Sequence, residues 1–107
     1  MLQTIAPSIE SEILVGRGEI LAGETRICEA RYAIYAEKTV MEQSGAGETD
    51  RVMESRRVLG RVTATPEDLS ACLCVPARLT LRLQDGRRLD FDLEDSSGRI
   101  FDGWGPY

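Results

Sequence analysis

Arginine is the residue type in this 107-residue sequence that is best suited to bind an anion. Of the 13 basic residues, all but Lys38 are arginines. A guanidinium can donate two parallel hydrogen bonds to a carboxylate or a phosphate group. Two pairs stand out by their spacing: Arg57 and Arg61 in one segment, and Arg82 and Arg88 on either side of a turn. We predict that these four arginines bind an anionic ligand or an acidic patch of a partner protein.

The R-x-x-x-R spacing of Arg57 and Arg61 resembles the motif with which PilZ domains bind the phosphates of cyclic dinucleotides. In that family a second motif, D/N-x-S-x-x-G, accompanies the arginines. Here Asp95 and Ser97 would need a glycine where Ile100 stands, and both parts of the pattern fall late in the chain. The resemblance is confined to two arginines, so the chain is not assigned to that family. Ion pairs with glutamates of the preceding strand explain these arginines more simply.

Residues 103–107 form an aromatic tail that follows Phe101 and contains Trp104 and Tyr107. Chain ends are usually poorly ordered unless they dock, but aromatic side chains carry a large apolar surface that favours burial. Two arrangements remain open: the tail plugs one end of the fold, or it is buried in another subunit. Trp104 and Tyr107 are therefore candidate partner-binding residues.

The sequence contains no histidine, the side chain best suited to proton transfer near neutral pH and the commonest zinc ligand. The cysteines Cys28, Cys72 and Cys74 lack the spacing of a zinc site, and their odd number fits reduced thiols better than a disulfide framework. We expect the cysteines to be small buried side chains. We also expect no catalytic residues, no metal site and no cofactor.

Alternation of apolar and polar residues predicts antiparallel strands. In residues 26–41 one face holds Cys28, Ala30, Tyr32, Ile34 and Ala36, and residues 57–64 alternate in the same way with Val58 and Val62 on the inner face. Between them residues 43–51 are polar and rich in glycine, which indicates a flexible hairpin loop. Residues 1–10 are predicted to form an N-terminal arm.

The first strand changes its alternation part of the way along. Ile13 and Val15 fall at odd positions, whereas Ile20 and Ala22 fall at even ones. A β-bulge or bend at residues 16–18 would restore one inward face. A bent strand of this kind favours a closed barrel.

One short helix is predicted after the third strand. Thr65 is the expected N-cap, Pro66 the first helical residue and Asp68 the acidic residue three positions after the cap. Val75 and Pro76 should end the helix.

Residues 78–93 predict a hairpin whose register follows from burial of its leucines. A two-residue turn would place leucines on the charged face, at a cost of about 1.5–3 kcal/mol for each one. A three-residue loop at residues 84–86, with Gly86 in the left-handed conformation, keeps them together. The resulting pairs are Leu83 with Arg87, Leu81 with Leu89, Leu79 with Phe91, Arg82 with Arg88, Thr80 with Asp90, and Arg78 with Asp92.

These elements predict one mainly β domain over residues 1–107, a small antiparallel six-stranded barrel or compact sandwich with one short helix. The net charge of -5 disfavours nucleic-acid binding. No apolar run approaches the roughly 20 residues of a membrane helix. Because the first residues lack the pattern of an export signal, we expect a cytoplasmic protein, and the composition is typical of bacteria.

The sequence therefore predicts a non-catalytic protein-interaction or accessory module. We expect it to form a homodimer, because an incompletely closed sheet leaves strand edges that need cover. The alternative is a barrel that binds a small, nucleotide-like anion through clustered arginines.

Overall fold

Six strands and one helix make up residues 6–43 and 51–107, the part of the chain that the computed structural model describes. They are β1 (Ala6–Ala22), β2 (Thr25–Gln43), β3 (Arg51–Thr63), α1 (Pro66–Leu73), β4 (Leu79–Arg82), β5 (Arg88–Leu93) and β6 (Ile100–Trp104). All paired strands are antiparallel, in the sheet order β3-β2-β1-β4-β5-β6. The predicted mainly β class with one short helix is confirmed.

The sheet curls into a nearly closed barrel because its two end strands, β3 and β6, meet. The amide of Val62 donates to the carbonyl oxygen of Gly98 at 2.8 Å, and Arg61 and Arg99 form an isolated antiparallel bridge. Gly98 has a φ of 84°, and a Cβ at this position would collide with the carbonyl oxygen of Val62. Of the two predicted architectures, the structure is the barrel.

The barrel encloses the apolar residues that the strand patterns place inward. Its largest fully buried side chains are Phe91, Ile20, Leu81, Leu89 and Val62. The predicted inner face of β2 is confirmed, since Cys28, Ala30, Tyr32, Ile34 and Ala36 are all buried. α1 packs against this core through Leu69 and Cys72.

The predicted register of the β4–β5 hairpin is confirmed by the pairs Leu79 with Phe91, Thr80 with Asp90, Leu81 with Leu89, and Arg82 with Arg88. The amide of Leu83 donates to the carbonyl oxygen of Arg87 at 2.7 Å, and the amide of Gly86 donates to that of Leu83 at 3.0 Å. Gly86 has a φ of 92°, the left-handed conformation that the three-residue loop requires.

The helix start also follows the prediction. The Oγ1 of Thr65 accepts a hydrogen bond from the amide of Asp68 at 3.2 Å, and Pro66 is the first helical residue. The cap satisfies one of the amides that a helix leaves unpaired at its first turn. α1 ends at Leu73, before Val75 and Pro76.

The predicted bulge at residues 16–18 of β1 is wrong. β1 pairs with β2 without interruption from residue 6 to residue 20, and the register shift lies between Ile20 and Leu21. Ile13 and Val15 consequently point outward and are 75% and 73% exposed. The shift leaves Ile27 of β2 as the extra residue, and Ile20 and Leu21 of β1, on either side of the shift, are both buried.

Gly16 and Gly18 have a role other than bending the strand. Both lie on the inner face, where a Cβ at Gly16 would come within 2.8 Å of the hydroxyl oxygen of Tyr32. A Cβ at Gly18 would collide with the carbonyl oxygen of Arg82. The two glycines therefore leave room for the buried Tyr32 ring and for β4.

The strands differ greatly in length, and this gives the molecule dimensions of 60 × 24 × 24 Å. β1, β2 and β3 have 17, 19 and 13 residues, whereas β4, β5 and β6 have 4, 6 and 5. β4 pairs with β1 only at residues 19–22. Residues 6–15, 33–43 and 51–61 thus form a three-stranded part of the sheet that extends beyond β4, which we call the projection.

The predicted segment boundaries are only partly within the described residues. β1 begins at Ala6, so residues 6–10 of the predicted N-terminal arm belong to the sheet, and residues 1–5 lie outside the described part. In the predicted loop 43–51, residues 44–50 lie outside it as well. Over the described ranges, no helix has the length and apolar character needed to cross a membrane.

The contact that closes the barrel can be tested with two glycines of similar backbone conformation. Gly86→Ala should destabilise the protein by about 1–2 kcal/mol, the cost of a left-handed alanine, because a Cβ there meets nothing within 4 Å. Gly98→Ala should cost about 1–3 kcal/mol more, since its Cβ collides with Val62. Urea unfolding followed by Trp104 fluorescence measures both values, and equal losses would contradict a tight β3–β6 contact.

Candidate functional site

The outer face of the projection carries a continuous apolar strip, defined here as Ile13, Val15, Ala33, Tyr35 and Leu59. Ile13 pairs with Tyr35 and Tyr35 with Leu59 in one row across three strands, and Val15 pairs with Ala33 in the next row. Ile13 and Val15 are about three-quarters exposed, and Leu59 is 43% exposed. Contiguous exposed apolar surface of this kind is typical of an interaction site.

The inner face of the projection is charged towards its far end. Glu10, Glu12, Lys38 and Arg56 line a polar cavity of about 370 Å³, together with Arg87 and the backbone at residues 105–106. Arg87 donates to both carboxylate oxygens of Glu12, at 2.6 and 3.0 Å, and its Nε to Asp85 at 2.8 Å. The hydrogen bond from Arg87 lowers the pKa of Glu12. On the inner face these charged residues lie beyond the buried Ile34, Ala36 and Val58, whereas the apolar strip lies on the outer face of the same strands.

Uninterrupted strand pairing fixes this arrangement. Successive residues of a strand point to opposite faces, and the core requires Ile34, Ala36 and Val58 on the inner face. Their odd-numbered neighbours must then point outward. The strip is therefore apolar because apolar residue types occupy these outward positions. No local change of backbone conformation is involved.

The strip is bordered by charged side chains along the strands. On its far side Tyr35 donates its hydroxyl hydrogen to Oε2 of Glu37 at 2.8 Å, and this bond raises the pKa of Tyr35. Arg57 pairs with Glu37 in the β2–β3 register, and Arg61 pairs with Ala33 at the barrel end of the strip. The register thus brings Arg57 to a glutamate of the preceding strand.

An open cleft of about 880 Å³ lies next to the barrel end of the strip. We call it the arginine cleft. Its lining comprises Arg17, Gly18, Glu19, Glu29, Ala30, Arg31, Thr63, Ala64, Thr65, Arg82, Leu83, Gln84 and Gly86. β1, β2, the end of β3 and the β4–β5 turn all contribute to it.

Sequence reasoning did not identify Arg17 and Arg31, which are direct register partners. The turn pairs Ala22 with Thr25, and extending that register without a bulge would pair Arg17 with Ala30. The bulge at Ile27 moves the pairing by one residue, to Arg31. The sequence shows one arginine in each of two adjacent strands. Their direct pairing could not be predicted from it, because the pairing depends on the position of the bulge.

Both carboxylates of the cleft are already held by arginines. Oε1 of Glu19 lies 2.7 Å from Nη2 of Arg82, and its Oε2 lies 2.6 Å from Nε of Arg26. Glu29 lies 3.0 Å from Nη2 of Arg26. The hydrogen bond from Arg82 lowers the pKa of Glu19.

The four arginines predicted as binding residues do not line one common site. Arg82 lines the arginine cleft, whose lining includes none of Arg57, Arg61 and Arg88. Arg88 faces Arg82 as predicted, and Nη1 of Arg88 lies 3.9 Å from Oε1 of Glu24. The structure instead places Arg82 beside Arg17 and Arg31.

The aromatic tail docks along β5, next to the polar cavity that Arg56 and Glu12 line. The backbones of Tyr107 and Arg88 exchange two hydrogen bonds of 2.8 Å. The Tyr107 hydroxyl donates to Oδ1 of Asp90 at 2.8 Å, which raises the pKa of Tyr107. The Trp104 ring lies 5.2 Å from that of Tyr107 and 5.1 Å from Cζ of Arg56. Both rings remain about half exposed.

The cysteines divide into two buried thiols and one exposed thiol. Cys28 and Cys72 are buried as expected, whereas Cys74, at the C-cap of α1, is exposed, contrary to the prediction. Burial, reinforced by the neighbouring Cys72, raises the pKa of Cys28 to about 12. Burial also raises the pKa of Cys72. Within the described ranges, no three His, Cys, Asp or Glu side chains are grouped so that they could hold a metal ion.

Comparisons with protein-family models, with curated proteins and with solved structures gave no match. The strip and the cleft are therefore interpreted from their own geometry and chemistry.

The thiols provide a test of the core. Thiolate is the reactive form, so Cys74 should react rapidly with a disulfide reagent at mildly alkaline pH. Cys28 and Cys72 should react only after unfolding. Counting released chromophore in native protein, in urea and in a Cys74→Ser variant checks this assignment, and a second fast-reacting thiol in native protein would contradict it.

Proposed function

We propose that this protein is a non-catalytic interaction module that self-associates through the apolar strip of its projection. The observation that carries the proposal is the second apolar face of the long strands. Ile34, Ala36 and Val58 are buried on the inner face, while Ile13, Val15 and Leu59 are exposed on the outer face of the same strands. A face with apolar residues on three adjacent strands gains free energy when another surface covers it.

A second copy of the chain suits the strip because the strip is self-complementary. Two sheets packed face to face about a twofold axis that crosses the strands at Ile13, Tyr35 and Leu59 bring this row of one chain against the same row of the other. The same antiparallel arrangement places Glu37, on the far side of one strip, near Arg61 at the barrel end of the partner strip. The contact between Glu37 and Arg61 then occurs twice, as a symmetric dimer requires.

The energetic balance supports a reversible dimer. Full burial of an isoleucine, valine or leucine contributes about 1.5–3 kcal/mol, and part of each of these side chains is already covered. Six such side chains in a dimer would supply on the order of 10 kcal/mol. Association costs about 4–15 kcal/mol in lost translational and rotational freedom. At the lower end of that cost about 6 kcal/mol remains, so we expect a weak dimer that dissociates in the tens of micromolar.

The strip is a stronger candidate interface than the aromatic tail. Tyr107 already uses its backbone and its hydroxyl group within the chain, and Trp104 contacts Tyr107 and Arg56. Ile13 and Val15 are far more exposed than either ring. The strip therefore keeps a larger fraction of its side-chain surface available to a partner.

Light scattering coupled to size exclusion, from low to high micromolar protein, tests the interface. The wild type should be a dimer at the upper end, and Ile13→Asp should be a monomer throughout because it places a charge inside the apolar contact. Leu73→Asp is the matched control, since Leu73 is 42% exposed and lies on α1, away from the strip. It should dimerise like the wild type, as should Trp104→Ala.

A charge exchange tests the orientation of the two copies. Glu37→Arg should weaken the dimer, and adding Arg61→Glu should restore it because the opposite charges meet again. A wild type that stays monomeric at every concentration would overturn self-association. A monomeric Trp104→Ala combined with a dimeric Ile13→Asp would place the interface at the tail instead.

A further inference from the structure

Arg17 and Arg31 form an uncompensated pair of like charges at the arginine cleft. They are direct partners in the β1–β2 register, on the outer face, where opposed side chains have Cβ atoms about 4.5–5.5 Å apart. Both are exposed, and neither guanidinium forms an ion pair with any residue of the described chain. Like charges opposed in this way oppose sheet formation.

The surrounding charges do not neutralise this pair. Arg26 and Arg82 are bound to Glu19 and Glu29, the two carboxylates of the cleft. Four guanidiniums against two carboxylates leave an excess of two positive charges on a chain whose net charge is -5. The excess is concentrated at Arg17 and Arg31.

The cleft also has the volume and donors of a ligand site. Its volume of about 880 Å³ falls within the range of small-molecule pockets. Thr63 and Thr65 line it opposite Gln84. Because Oγ1 of Thr65 accepts the amide hydrogen of Asp68, the hydroxyl hydrogen of Thr65 is left to donate to a ligand.

We propose that the arginine cleft binds the phosphate group of a small phosphorylated metabolite, with Arg17 and Arg31 as the two principal ligands of the phosphate. A phosphate monoester is close to a dianion at neutral pH, which matches the excess of two positive charges. Its three terminal oxygens can accept paired hydrogen bonds from two guanidiniums at once and a further bond from a threonine hydroxyl. A single carboxylate has neither the charge nor the third oxygen.

The lining also limits what the phosphate carries. Beyond its charged and hydroxyl groups, the cleft presents the small or aliphatic residues Gly18, Ala30, Ala64 and Leu83, and its lining includes no aromatic ring. It therefore offers no aromatic surface on which a nucleobase would stack. A compact polar metabolite fits better than a nucleotide.

Phosphate binding is separate from the proposed dimer. Arg17, Arg31 and Arg82 lie outside the strip, and Ile13→Asp changes no residue of the cleft lining. The Ile13→Asp variant should therefore bind phosphate as the wild type does. The two proposals can fail independently of each other.

Calorimetric titration of the intact chain with inorganic phosphate and with β-glycerophosphate, at constant ionic strength, tests the site. Both probes should give saturable binding. Arg17→Gln and Arg31→Gln should each weaken it at least tenfold. Arg99→Gln removes an equally exposed arginine outside the cleft, which lies near Glu94, and it should leave binding unchanged. Without phosphate, Arg17→Gln should unfold at the same or a higher urea concentration than the wild type, because the substitution relieves repulsion.

Several outcomes would overturn the proposal. An equal loss in Arg17→Gln and Arg99→Gln would show general charge attraction, and tricarballylate binding more tightly than both phosphates would assign the cleft to carboxylates. No binding of either small phosphate would remove the site. A phosphoserine peptide that binds while both small phosphates fail would make the occupant a protein and overturn the metabolite assignment.

Discussion

The uninterrupted pairing of β1 with β2 from residue 6 to residue 20 is the constraint on which the other features depend. Because alternate residues point to opposite faces, this one register decides which side chains reach the core. It turns Gly16 and Gly18 towards the Tyr32 ring, turns Ile13 and Val15 into solvent, and sets Arg17 opposite Arg31. A shift of one residue would exchange the two faces.

The projection follows from unequal strand lengths. A barrel is only as tall as the strands that complete its wall, and β4, β5 and β6 are much shorter than β1 and β2. Beyond their reach the inner face meets a polar cavity, where Glu12 is held by Arg87. The apolar strip lies on the outer face, opposite the buried Ile34 and Val58. Exposed apolar side chains are costly in water, and covering them is favourable.

The opposed side chains of Arg17 and Arg31 at the arginine cleft are a second unfavourable local feature, in this case an electrostatic one. Opposed arginines oppose sheet formation slightly, and solvent screening keeps the cost small. The sheet tolerates the pair because the core beneath it, including Ile20 and Leu81, is fully buried. Unfavourable local features that nothing nearby compensates often mark functional positions. Two such features, the exposed apolar strip and the opposed arginines, lie next to each other on the outer face of the sheet.

The strands and the helix cap could be predicted from the sequence, because alternation and capping depend on residues that are close together in the chain. The β4–β5 register could be predicted as well, because burial of Leu79, Leu81 and Phe91 permits only one pairing. The sequence did not determine the course of β1. The change of phase between Val15 and Ile20 has two explanations, a bulge or a change in the face that is apolar, and only long-range pairing with β2 distinguishes them. The cleft was hidden for the same reason: the bulge at Ile27 sets which residues oppose each other several positions away. Tertiary structure decided both, because the position of the bulge and the register of β1 against β2 are properties of the paired strands and of neither segment alone.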